Sequence, residues 1–133
     1  MKQGRRRFRR EEGQSIVEAA YVIPLLILIV CGIIDFGWIF SNQLMVDNCS
    51  REGARYAVVN ADAADLTTLV TEKVKSVSGL GDTGDMLVTA EVVDQQDVKV
   101  KVTKKIKAIT PLVGIFVPDQ EIVLQSTSIM RIG

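Results

Sequence analysis

The sequence predicts an α+β fold: one long N-terminal helix, a second short helix and a small, mainly antiparallel three-stranded sheet. Three observations carry this. An uncharged apolar run from Ala19 to Ile34 is long enough to reach most of the way across a bilayer as a helix. A helical pattern continues beyond it to Val59. The C-terminal half then changes to β-branched runs with period two, clearest at Val98, Val100 and Val102 alternating with Lys99, Lys101 and Thr103.

The chain has 133 residues and a formal net charge of zero. That zero hides an asymmetry. Residues 1–13 carry Lys2, Arg5, Arg6, Arg7, Arg9 and Arg10 against Glu11 and Glu12, a net of +4, so the remainder is net −4. A nucleic-acid surface would place basic groups on the folded part with aromatics between them. Here the basic cluster heads an apolar run, which is a membrane-topology signal. The other basic group, Lys99, Lys101, Lys104, Lys105 and Lys107, reads as the wet face of a strand. No nucleic-acid partner is expected.

Residues 1–13 are expected to form a basic cytoplasmic leader, 14–40 a transmembrane helix and 41–133 an extracytoplasmic domain. Trp38, and more weakly Tyr21, suit the two interfaces, and the basic head places the N-terminus in the cytoplasm. An ordinary secretory signal is disfavoured: the run is too long, and bulky Phe36-Gly37-Trp38-Ile39-Phe40 stands where small residues would be needed for cleavage. Pro24 removes one backbone donor inside the span and predicts a kink.

From Ser41 to Val59 the same helix is expected to continue, giving about 45 residues and about 65 to 70 Å. Val46, Cys49, Gly53 and Tyr56 line one face, and Gly53 permits close packing. Arg55 reads either as a solvated cation or as a partner for carboxylates near Asp47 or on another subunit. Asn60 to Asp65 is a small polar break. A second helix, 65–78, is expected with Asp65 as its cap and Leu66, Leu69, Val70, Val74 and Val77 as its stripe. Gly79, Gly81 and Gly84 with Asp82 and Asp85 form a turn region. Strands are expected at about 86–93, 98–108 and 121–131. Between the last two, Pro111 to Pro118 is unusually apolar for a loop. It is either buried against the sheet, the preferred reading, or an exposed contact patch.

The chemistry available argues against an enzyme. There is no histidine, so the commonest general base and metal ligand are missing. No zinc spacing, nucleophile elbow or dinucleotide fingerprint occurs, and neither a metal nor a cofactor is expected. Cys31 and Cys49 on one helix lie about 27 Å apart, too far for a bridge within the chain. Both read as packing residues, with an intermolecular bond through Cys49 as the alternative.

Gly13-Gln14-Ser15-Ile16-Val17-Glu18 is the most informative stretch. A glycine lies at the junction of basic head and apolar run, and one carboxylate follows five residues later. This suggests a chain threaded into a membrane, cut between Gly13 and Gln14, and assembled with copies or relatives of itself. A lone carboxylate toward the middle of a bilayer costs about 2.5 to 3.5 kcal/mol on insertion scales. After such a cut, Glu18 would lie about 6 Å up the helix from a new ammonium on Gln14. Pairing with that amine on a neighbouring subunit would offset the desolvation and set the register between helices. Asp35, near the outer end, reads either as a second pairing carboxylate like Glu18 or, the preferred reading, as an interface marker.

Together with Pro24, Ile34-Asp35-Phe36-Gly37 and Ser50-Arg51-Glu52-Gly53-Ala54-Arg55-Tyr56-Ala57, that stretch resembles the TadE-like family, pseudopilins or minor pilins of the tight-adherence (Tad, Flp) pilus system. The resemblance covers about residues 11–59, and Ser126 to Arg131 weakly resembles the end of such domains. It implies a pilin-like architecture and processing by a membrane aspartic prepilin peptidase. It also implies an assembly role for Glu18, and Asp35, Arg51, Glu52, Gly53 and Arg55 as family-motif residues. The implied partners are that peptidase, other pilin-like subunits, the pilus assembly platform and membrane lipid. Major pilins of this system are much shorter and usually carry Tyr after the glutamate, where this chain has Ala19. That departure points to a minor or initiating subunit. The other reading is an uncleaved single-pass protein whose extracytoplasmic domain binds a secretion or envelope partner.

Overall fold

The computed structural model describes residues 5–79 and 86–133, with side chains described from residue 12 onward. The expected turn around Gly81, Asp82, Gly84 and Asp85, and the basic side chains of the leader, lie outside that range. The elements in chain order are α1 (Arg5–Val59), α2 (Leu66–Ser78), β1 (Met86–Val93), β2 (Asp97–Lys107), α3 (Pro111–Phe116) and β3 (Glu121–Arg131). This is the expected α+β architecture, with one unexpected helix.

Helix α1 is 55 residues long and continues through Pro24. It spans about 80 Å and starts earlier than expected, because the helical run includes residues 5–13. Its two halves differ in what covers them. In the most apolar 18-residue window, no residue is buried inside the chain. From Asn42 to Ala57, by contrast, α1 supplies one wall of the core through Val46, Cys49, Ser50, Ala54 and Ala57, all at most 1 % exposed.

The sheet is an antiparallel meander in the order β1-β2-β3. β2 is central, and strict alternation turns Val98, Val100 and Val102 toward the helices at 0 % exposure. Val70 and Val74 of α2 meet them, also fully buried. Each such side chain contributes about 1.5 to 3 kcal/mol relative to exposure, so these buried valines dominate the cohesion of a small head. Helices α1 and α2 pack on one face of the sheet, α1 over β2 and β3, and α2 over β1. The opposite face is open and carries Leu87, Thr89, Glu91, Lys99 and Lys101.

Gly53 sits where α1 crosses this core. A Cβ placed there would come within 3.0 Å of Val74 Cγ2, 3.2 Å of Val100 Cγ1 and 3.3 Å of Val70 Cγ1. The glycine therefore sets the approach of α1 to both α2 and β2, as its place on the apolar face implied.

Several expectations need correction. Asp65 occupies the position before α2 but makes no side-chain cap bond, and its φ of −117° and ψ of 55° aim it elsewhere. Val77 is 41 % exposed and Leu69 only half-buried, so the stripe of α2 is the narrower Leu66, Val70, Val74 and Ser78. Gly79 has a defined role: at φ 60° it closes α2 in the left-handed conformation that glycine adopts without strain. Strand β2 spans Asp97–Lys107 where 98–108 was expected.

The segment after β2 departs furthest. It is not a buried loop but the six-residue helix α3, with Pro111 in its first turn and no buried residue. Ile115 and Phe116 are 78 % and 83 % exposed. Proline suits a helix start because its missing N–H would be unpaired there in any case.

Candidate functional site

The motif residues fall into three zones along α1. At its lower end Gly13 has open space around it, and Glu18 is exposed. Between Gly13 and Ile34 Glu18 is the only charged residue. The side chains around it, Ile16, Val17, Tyr21 and Val22, are 57 % to 79 % exposed. A carboxylate stands alone on an apolar helix surface that the rest of the chain does not cover.

The middle zone is built on Asp35. It is 3 % exposed. The backbone N–H of Thr110 donates to Asp35 Oδ1 at 3.0 Å, and the Thr110 hydroxyl donates to Oδ2. Asp35 thus does more than mark an interface. It fastens the start of α3 to α1 from 75 residues away in the chain. Chain geometry explains the meeting. β2 descends antiparallel to α1, so Val100 lies near Gly53, Lys104 near Asn42 and Thr110 at Asp35. α3 then lies beside Pro24, Ile27, Leu28 and Cys31, leaving a groove of about 330 Å³ lined by those residues with Pro111, Leu112 and Ile115.

Lys104 belongs to this zone and corrects the reading of the lysine row. Counting by twos from Val102 turns it toward α1, unlike Lys99, Lys101, Lys105 and Lys107. Its long stem passes the core edge, and Nζ donates to Asn42 Oδ1 at 3.2 Å. Asn42 in turn donates to the Trp38 carbonyl at 2.9 Å. Nearby, burial pushes the Cys49 thiol above its ordinary value, against a smaller lowering pull from Lys104. At 1 % exposure Cys49 is a packing residue and cannot meet a thiol of another chain while the head is folded.

The upper zone holds the Ser50 to Ala57 motif, which the helix splits between two faces. Gly53, Ala54 and Ala57 point into the core, whereas Arg51 and Arg55 are exposed on the opposite side with Leu44, Asn48 and Val59. Glu52 is half-buried. Asp47 accepts from Gln43 Nε2 at 3.1 Å. The fully buried Ser50 hydroxyl lies 3.0 Å from Ser126 Oγ and 3.2 Å from Ser128 Oγ, and donates to the Asp47 carbonyl at 2.9 Å. The C-terminal motif and the helical motif are therefore in direct contact. Sequence reasoning did not single out Asn42 or Thr110, and met Ser50 only as the start of the family motif. Small polar residues on an otherwise apolar face were the available signal.

Among the described residues no group of histidine, cysteine, aspartate or glutamate is arranged to hold a metal. The arrangement suits attachment and packing.

The fold is that of an α+β head carried on one helix long and apolar enough to cross a membrane, as in a single-pass membrane protein. Residues 13–55 match the family model described as TadE-like protein, the family that the motif resembles. Comparison with curated proteins and with solved structures returned no match.

Proposed function

We propose that this chain is a structural and assembly subunit of a Tad-type pilus, a pseudopilin or minor pilin, and not an enzyme. In this reading α1 is inserted with its N-terminus in the cytoplasm and its head outside. A prepilin peptidase removes residues 1–13, and Glu18 then pairs with the amine of Gln14 on a neighbouring subunit. The observation that carries the reading is the lower half of α1. It is apolar, holds no buried residue in its most apolar window, meets its own chain only at α3 among the described residues, is headed by Gly13 and is charged only at Glu18 as far as Ile34. Such a surface requires lipid or other helices as its surroundings, and its lone carboxylate requires a cation.

The cut also removes the net +4 head, which would repel its equals in a bundle of parallel helices. Arg51 and Arg55 on the outer stripe of α1 then face neighbouring heads.

The test is the intact mass and N-terminal sequence of the protein from its native host, with and without Gly13→Leu. A mature chain starting at Gln14, and an uncut Gly13→Leu chain that fails to assemble, support the proposal. A wild-type chain that retains residues 1–13 and tolerates Glu18→Ala replaces it with a permanently anchored binding protein.

A further inference from the structure

The segment from Ala108 to Pro118 holds eleven residues without a charge, between Lys107 and Asp119. Its helix α3 buries none of its side chains in the head. Instead it lies beside Pro24, Ile27, Leu28 and Cys31, within the stretch of α1 that suits the bilayer interior. Ile109, Ile115 and Phe116 turn outward from it at 57 %, 78 % and 83 % exposure. The geometry points to α3 as a second membrane-embedded element, a short helix that dips from the outer side to about the middle of the bilayer beside the span and contacts lipid acyl chains.

This rests on the reading of α1 as membrane-spanning. Given that reading, the occupant follows from depth: whatever surrounds Pro24 to Cys31 also surrounds α3 and fills the groove between them. The polar flanks agree. Lys105 and Lys107 precede the dip, and Asp119, Gln120 and Glu121 follow it, all exposed. Some backbone groups at the ends of α3 are paired or absent, although its first turn carries no side-chain cap. Unpaired N–H groups are costly in hydrocarbon. At the start of α3 Asp35 accepts the Thr110 N–H and Pro111 has none, while the Val117 N–H donates to the Val113 carbonyl at 2.8 Å. The Asp35 carboxylate gains from the same contact, since near an apolar slab it needs donors.

The test uses the full chain in phosphatidylethanolamine–phosphatidylglycerol vesicles with brominated acyl chains, in a Trp38→Phe background. Phe116→Trp, with Ile115→Trp as a second probe, reports on α3, and Ile29→Trp reports on the span. Bromolipid quenching of the Phe116→Trp variant within about twofold of the Ile29→Trp variant supports the proposal. Quenching of Ile29→Trp alone, with α3 open to aqueous iodide, overturns it and leaves the span standing. An α3 shielded from both quenchers, and unshielded on dilution of protein in lipid, assigns the face to a second copy and overturns it. Absence of lipid quenching at Ile29→Trp removes the membrane reading of α1 itself, and the proposal with it.

Discussion

Asp35 holds both the amide and the hydroxyl of Thr110, so the only carboxylate in the upper part of the apolar run is engaged within its own chain. Glu18, at the lower end of the same run, is exposed. The two acids of the span thus have opposite assignments. One is a tether inside the chain and the other is exposed on the helix surface.

Removing the tether should loosen α3 and spare the head. Hydrogen bonds to charged groups contribute about 1.5 to 3 kcal/mol, and only α3 depends on this pair. Asp35→Ala is expected to raise amide exchange across residues 108–118 by one to two orders of magnitude and leave β1 and β2 protected. Hydrogen exchange with mass spectrometry checks this. Equal loss of protection in the sheet would show that Asp35 supports the core.

Gly53 should tolerate no side chain. Alanine would gain about 1 kcal/mol of helix propensity, while overpacking a close-packed core costs about 1 to 3 kcal/mol. Three valine methyls stand 3.0 to 3.3 Å from the new Cβ, held between α2 and β2, so the second effect wins. Gly53→Ala is expected to lower the thermal midpoint by a few degrees and Gly53→Leu to prevent the head from folding, as followed by circular dichroism in detergent.

Cys49 should be inert in the folded protein. Its thiol is buried and its pKa is raised, so the thiolate that reacts with maleimide is scarce and inaccessible. Because the folded pKa lies above the unfolded one, the folded state favours the protonated thiol. The stability this gives is present below the unfolded pKa and is lost as pH rises through the folded one. Alkylation at pH 8 is expected to be at least tenfold slower in the native protein than in denaturant, read by mass at the Cys49 peptide.

Ser50→Val should weaken the contact between α1 and β3. It removes the hydroxyl shared with Ser126 and Ser128 and adds volume at a site with no free surface. A loss of about 1 to 3 kcal/mol is expected, measured by urea denaturation. The double variant Ser50→Ala with Ser126→Ala should recover part of it, because fewer polar groups are then left unpaired.

Much of this architecture was legible in the sequence, for reasons that differ by element. The alternation of Val98, Val100 and Val102 with lysines identified β2 because a half-buried strand must alternate. The face of Val46, Cys49 and Gly53 identified the core side of α1 because a helix repeats at 3.6 residues. Helix α3 was not legible. Six residues are too few to show a period, and its placement depends on Asp35, 75 residues away. Lys104 was misread from composition although parity alone places it. At the site, Gly53 could be understood locally, whereas the roles of Thr110, Asn42 and Ser50 exist only once β2 and β3 lie along α1.

The continuity of α1 has a mechanical consequence. The helix that fills the core of the head is the same rod that carries the uncovered apolar surface below it, and no loop interrupts it between Arg5 and Val59. Tension applied to the head is therefore transmitted to the span without a slack joint. Torque about the rod turns both ends together, with α3 acting as a strut against Asp35. A chain built this way behaves as a single lever, so displacing its head displaces its foot as well.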